Sequence, residues 1–416
     1  KSAVIAGRGE KNGNMVLNRA TMSTRQPGSV FKIVSTYAPA IDACGDSLSS
    51  TKVDEPVETY GGHTVNNVDF KYTHGPVSFR DAIIWSKNTI ATLTLREDVT
   101  TNLALDYLID KFHFTTLDRQ SDAVEALAIG GITTGVTNLE LTASFASIAN
   151  QGTYVRPVFY TKVLDASGNI LLDNTDASAR SSQAIKASTA YFLTDAMKGV
   201  VTESGGTGLR ANLSGMTTAG KTGTTENSTD LWLSAYTPYY TASVWGGYDS
   251  NKPMESMNQS WHMTLWKNIM ERVHEGLPYK DFTMPASVQQ KTICTQTGLL
   301  ATSSCPALTE YFAEGTVPSQ SCSGHYVAPS EDETEENDDD SSDNDDSNDS
   351  DSGNVGSNGN NSGGSNSGNN SGDNSGGNNS GGNNSGDNSG NNSGDNSGGS
   401  GTIEPIVPPA APEGGQ

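Results

Sequence analysis

Met216-Thr217-Thr218-Ala219-Gly220-Lys221-Thr222-Gly223-Thr224-Thr225 decides how this chain is read. Its β-branched residues predict a strand, and two more strand-like runs follow Asp230, Leu231 to Tyr236 and Tyr240 to Tyr248, parted by Pro238. Three antiparallel strands are expected. Gly223 would let a substrate backbone approach closely and pair with the strand edge. Thr222 and Thr224, two residues apart, project from one face, and beside Lys221 they suit a substrate carboxylate. Taken alone the run reads as an ordinary Thr-rich edge strand.

Two upstream segments change that reading. Arg25-Gln26-Pro27-Gly28 cannot extend a helix backwards, whereas Ser29 to Ala43 carries a dense apolar pattern that Gly45 stops. Ser29 therefore opens a buried helix, where free N–H groups favour a developing negative charge. Lys32, three residues on, shares its face. An amine against a hydroxyl serves as a general base when burial or a second cation lowers its pKa, and Lys221 is a candidate for that cation. The other segment, Ser86-Lys87-Asn88, stands at a break between apolar helical stretches, where a hydroxyl and an amide can be presented to a cleft. Alone it would be a capping sequence.

Each motif has decoys. Ser49-Ser50-Thr51-Lys52 is a second Ser-x-x-Lys, and Ser167-Gly168-Asn169 and Ser256-Met257-Asn258 repeat Ser-x-Asn. Ser49 lies in a polar stretch with no helical period, so a solvated loop is expected there.

In order and context the three motifs resemble the transpeptidase domain of class A penicillin-binding proteins. The likeness extends over most of residues 1–325, through Asn18-Arg19-Ala20-Thr21, Gly130-Gly131, Gly135 to Thr142, Ala149 to Gly152, Asp230-Leu231-Trp232 and Val244 to Asp249. It implies an acyl-enzyme mechanism on the D-Ala-D-Ala end of a peptidoglycan stem peptide. Ser29 would be the nucleophile, Lys32 its base, Ser86 the proton relay, and Asn88 the holder of the substrate amide. Lys221, Thr222 and Thr224 would bind the terminal carboxylate beside Gly223, and the backbone N–H groups of Ser29 and Thr224 would form the oxyanion hole. An amine acceptor from a neighbouring stem would complete the cross-link, and β-lactams would trap Ser29. Two departures stand out: Lys87 adds a charge near the cleft, where it would tune acceptor preference, and Leu233 follows Trp232 where an aromatic is common.

The resemblance implies an α/β (α+β type) fold, an antiparallel sheet flanked by helices with an all-helical lobe between Asp54 and Asn150. This is the penicillin-binding transpeptidase or serine β-lactamase-like fold. Helices are expected at Leu103 to Lys111, Leu139 to Ala149, Lys186 to Thr202 and Met263 to His274. Gly205, Gly206 and Gly208 follow a helix and precede a strand, the reverse of a nucleotide loop, so they read as a flexible connection. The chain opens at Lys1, and Ser2 to Gly7 reads as a strand already inside the domain. A membrane anchor and a glycosyltransferase domain are expected upstream in the full protein, on the extracytoplasmic face of a bacterial plasma membrane.

Composition divides the rest. Residues 331–416 hold 18 acidic residues and no Lys or Arg, whereas residues 1–330 carry 30 acids against 25 bases. The net charge of −23 is thus mostly the tail's and says nothing of a nucleic-acid or other catalytic partner. Residues 356–401 contain only Gly, Ser, Asn and Asp, a composition expected to stay unfolded. Three parts are expected: a transpeptidase domain over 1–290, a Cys-containing extension over 291–330, and the tail.

The four cysteines, 44, 294, 305 and 322, show no Cys-x-x-Cys pair and the six histidines are scattered, so neither metal nor cofactor is expected. Cys44 reads as a buried thiol, and a disulfide is expected between Cys294 and Cys305, with Cys322 as the competitor. Three functions remain open: a cross-linking transpeptidase, a carboxypeptidase or β-lactamase that passes the acyl group to water, and a β-lactam sensor that does not turn over.

Overall fold

The computed structural model describes residues 13, 16–254 and 259–324. The Ser2 to Gly7 strand, the Ser256 decoy and the tail from 331 onward lie outside the described residues.

The expected three-stranded sheet is present. Ala219–Thr224 pairs antiparallel with Asp230–Tyr236, which pairs with Thr241–Gly247. The middle strand is buried throughout, and its alternate side chains serve two cores. Trp232 and Tyr236 join one apolar cluster with Leu141, Phe145 and Leu193 of helices Asn138–Ala149 and Ala187–Thr202. Leu233 and Ala235 join another with Met263, Trp266 and Met270 of helix Trp261–Val273. Leu233 is therefore a packing residue on the face away from the nucleophile. The Lys221 strand is one of the sheet's two edges among the described residues, so its outer backbone edge is free of strand pairing there.

The nucleophile segment forms one rod in three registers. A 3₁₀ turn over Gly28–Phe31 leads into a wide π turn over Ile33–Tyr37 and an α-helix over Ala38–Ala43. Val30, Phe31, Ile33, Val34 and Tyr37 are wholly inaccessible, so the rod runs through the middle of the core, as its all-round apolar pattern requires. Cys44, contrary to expectation, is exposed. Asp42 takes the inward position at this helix end, accepting from Tyr107 Oη at 2.7 Å, Lys186 N at 2.7 Å and Thr189 Oγ1 at 2.9 Å. Gly45, at φ +88°, then turns the chain away.

The helical lobe is narrower than the sequence suggests. Short paired strands occupy Thr51–Val53 with Pro76–Ser78 and Val57–Glu58 with Thr64–Val65, and helices begin only at Phe79. Ser78 caps that first helix, its hydroxyl accepting from Asp81 N at 3.1 Å. The glycine connection after Thr202 is fitted rather than slack. A Cβ on Gly206 would stand 2.5 Å from Val200 O, and one on Gly205 would stand 3.0 Å from the Trp85 ring.

A hairpin of Val288–Cys294 and Ala307–Ala313 docks on the same body. Arg80 reaches Glu310 at 2.6 Å and Asp195 at 2.8 Å, and Tyr311 meets Tyr191 edge-on at 5.3 Å. Among the described residues no helix is long and apolar enough to cross a membrane.

Candidate active site

Ser29 is set by glycines on three sides. Gly28, at φ +56°, lies so close to the edge strand that a Cβ would stand 2.9 Å from Thr224 O. A Cβ on Gly223 would meet Pro27 O at 2.4 Å, and one on Gly130 would meet Gly28 O at 2.3 Å. Only bare backbone allows strand, nucleophile turn and the 125–130 turn to close on one another. Around them, Arg25 Nε donates to buried Asp230 at 2.7 Å, Trp245 Nε1 donates to the same carboxylate at 2.9 Å, and Trp232 Nε1 donates to Gln26 O at 2.9 Å. Gly135 packs on Arg25, and Thr24–Arg25 pairs with Val136–Thr137, where Thr137 and Glu140 form a capping box. These are the segments that extended the family likeness beyond the three motifs. They brace the turn that carries Ser29.

Lys32 and Lys221 arrive from opposite sides and are both 0 % exposed. Lys32 Nζ donates to Ser86 O at 2.7 Å and to Asn88 Oδ1 at 2.6 Å, and lies 3.3 Å from Ser86 Oγ. Lys221 Nζ lies 2.8 Å from the same hydroxyl and 3.3 Å from Thr222 O. Ser86 Oγ thus bridges two amines. Neither amine has a carboxylate partner among the described residues. Burial and then the charge of Lys221 hold Lys32 well below the ordinary lysine value, and burial lowers Lys221 to about 7. Ser86 itself sits at φ +58°, a conformation a non-glycine residue adopts only when its surroundings impose it.

The chain has relatives among known proteins. Residues 3–271 match the penicillin-binding protein transpeptidase domain, and residues 284–326 match the penicillin-binding protein 1A C-terminal domain. The chain belongs to the penicillin-binding protein transpeptidase family. It is 33 % identical over 344 residues to penicillin-binding protein 1A of Clostridium tetani, covering 77 % of this chain and 42 % of that protein. Penicillin-binding protein 1A/1B of Bacillus subtilis is 31 % identical, over 76 % of this chain and 36 % of its own length. The chain therefore spans less than half of these relatives. The crystal structure of penicillin-binding protein 1A from Haemophilus influenzae superposes with a TM-score of 0.60 at 25 % identity, covering 73 % of this chain and 50 % of that one. PonA1 of Mycobacterium tuberculosis, solved with penicillin V, shares the fold at TM-score 0.55 and 23 % identity, over 65 % of this chain and 74 % of that one.

The family's three motifs meet in space, and several residues around the Ser86 turn have roles the sequence did not reveal. Lys87 is the clearest. Its amine pairs with buried Asp54 at 2.9 Å, so it braces the Ser86 turn instead of lending a loose charge to the cleft. Asp54 also accepts from Thr89 Oγ1 at 2.6 Å and Asn67 Nδ2 at 2.7 Å. Burial pushes this carboxyl up, but hydrogen bonds from Thr89, Lys87, Asn67 and Thr73 outweigh it and hold it below the ordinary value. Asn67 Oδ1 accepts from Asn88 N at 3.0 Å, and Asn88 Nδ2 donates to Asn66 O at 2.8 Å. Asn88 Oδ1 is thereby aimed at Lys32. On the strand, the Thr222 hydroxyl meets Thr207 Oγ1 at 2.6 Å, and Thr224 is exposed. Thr207 comes from the glycine connection, whose only signal in the sequence was its glycines.

Proposed function

We propose that this domain is a serine D,D-transpeptidase that cross-links peptidoglycan stem peptides through an acyl-enzyme on Ser29, and that β-lactams acylate the same residue. The observation that carries the reading is Ser86 Oγ held between two buried amines, 3.3 Å from Lys32 and 2.8 Å from Lys221. A neutral Lys32 amine spends its two N–H bonds on Ser86 O and Asn88 Oδ1 and keeps one lone pair for a hydroxyl proton. A protonated Lys221 donates to Ser86 Oγ. Ser86 can then pass a proton from one side of the cleft to the other.

In the proposed cycle Lys32 takes the Ser29 proton as Oγ attacks the penultimate D-Ala carbonyl. Backbone N–H groups of Ser29 and Thr224 receive the oxyanion. The C–N bond to the terminal D-alanine breaks, and that amine leaves with a proton delivered through Ser86. Lys221 and the Thr222 and Thr224 hydroxyls hold the terminal carboxylate, while the donor backbone pairs along the open strand edge beside Gly223. Asn88 contributes by steering Lys32 and by holding the substrate amide. An acceptor amine then attacks the ester, a new amide forms, and Ser29 recovers its proton. A membrane anchor upstream of this chain would place the domain on the extracytoplasmic face of the plasma membrane.

The test is acyl partition. Donor peptide incubated with the protein and an amine acceptor should give aminolysis product in excess of hydrolysis product, with fluorescent penicillin retained on Ser29. Rapid penicillin hydrolysis without aminolysis would make this a β-lactamase, and a stable adduct with no peptide turnover would make it a sensor.

A further inference from the structure

The sequence reading set a metal aside because the cysteines are dispersed, and it favoured a Cys294–Cys305 bridge. Folding singles out no such pair. The sulfurs of Cys294, Cys305 and Cys322 all lie within 4.8 Å of one another. They come from three segments: the end of strand Val288–Cys294, the turn before Ala307–Ala313, and the stretch beyond that strand. Backbone pairing fixes all three. Cys294 N donates to Leu299 O at 2.8 Å, Cys322 N donates to Leu300 O at 2.8 Å, and Cys305 N donates to Thr302 O at 3.1 Å.

Hydrogen-bond donors surround the three sulfurs. Thr302 N donates to Cys305 Sγ at 3.4 Å. Cys322 shares hydrogen bonds with the side chains of Cys294 and Cys305, and the Gly324 backbone and the Thr297 side chain hydrogen-bond to it from outside. Such outer donors orient and stabilise thiolate ligands. A disulfide uses two sulfurs and has no need of a third, whereas tetrahedral zinc with bonds of about 2.3 Å spaces its sulfurs roughly 3.8 Å apart, inside the observed envelope.

We propose that Cys294, Cys305 and Cys322 bind a thiophilic divalent cation of the zinc class, which staples the C-terminal segment to its hairpin. On binding, each thiol releases its proton to solvent and coordinates as thiolate, with no change of oxidation state.

The full chain, purified under reductant and reconstituted with zinc, should retain about one zinc per chain after desalting. Its cobalt-substituted form should show a thiolate-to-cobalt charge-transfer band in the near ultraviolet. Cys305→Ser and Cys322→Ser should bind zinc at least about tenfold more weakly, and Cys44→Ser should bind normally. A strong chelator should lower the melting temperature of the wild type, and penicillin labelling of Ser29 should persist. Should the serine variants fail to fold, the cobalt spectrum of the wild type decides alone. Zinc below about a tenth of an equivalent, or a disulfide between two of the three in peptide maps of protein kept from air, would overturn the proposal.

Discussion

Two Ser-x-x-Lys sequences in this chain fold into opposite chemical environments. Ser29 opens the core helix, and Lys32 faces neutral oxygens and a second amine, a setting that lowers its pKa. Ser49 sits in a turn, its hydroxyl 2.8 Å from Ser47 Oγ. Lys52 lies on strand Thr51–Val53 and meets Glu97 at 2.8 Å and Asp98 at 2.9 Å. Burial works to lower Lys52, but the hydrogen bonds and charges of Glu97 and Asp98 outweigh it and raise its pKa. The surroundings push the two lysines in opposite directions, Lys32 down and Lys52 up. The serines differ less than the sequence suggested, because Ser49 is only 4 % exposed and not solvated. A Cβ on Gly298 would stand 2.5 Å from Ser49 O, so the C-terminal segment covers this decoy. The difference between site and decoy is therefore made by the partners of the lysine and by access to the hydroxyl.

Ser29→Ala should abolish covalent labelling by fluorescent penicillin, whereas Ser49→Ala should leave the rate within a few fold. Labelling that survives in the first variant would break the contrast. Lys32→Ala should slow acylation by about 10² to 10⁴. As a sharper form, Glu97→Gln with Asp98→Asn should lower the Lys52 pKa yet yield no acylation at Ser49, which mass spectrometry of the labelled peptides would check.

The pH profile tests the two amines. The proposed mechanism needs Lys32 neutral and Lys221 protonated, so acylation should rise as pH passes the depressed value of Lys32 and fall as Lys221 deprotonates near 7. The apparent values belong to the pair. Lys221→Ala removes the second cause of the Lys32 depression, so the rising limb should move to higher pH and the falling limb should vanish; an unchanged profile would count against the pairing. Thr222→Ala and Thr224→Ala should each weaken donors with a free terminal carboxylate by about tenfold and spare esters. The smallest effect belongs to the decoy. Lys52→Ala should cost about 0.5–1 kcal/mol in thermal unfolding and leave labelling intact, as expected of a partly exposed ion pair.

Much of the frame was legible because its signals are local. The Lys221 strand and its two successors, the helix from Ser29, and the helices at 139–149, 186–202 and 263–274 were each expected from period, β-branching and stop residues, and each formed, the last three as Asn138–Ala149, Ala187–Thr202 and Trp261–Val273. The choice of Ser29 over Ser49 also rested on local context. What the sequence could not determine depends on partners far away along the chain. The Cys44 exposure follows from Asp42 meeting Tyr107 and Lys186, and the bracing role of Lys87 follows from Asp54. Thr207 reaches Thr222 only because helix Ala187–Thr202 ends beside the edge strand. Most of all, the motif spacing supplied two lysines and a serine, whereas burial of both amines around one hydroxyl, without a carboxylate among the described residues, decided that they are not ordinary cations. A pKa is set by desolvation and neighbouring charge, and both exist only once the chain has closed.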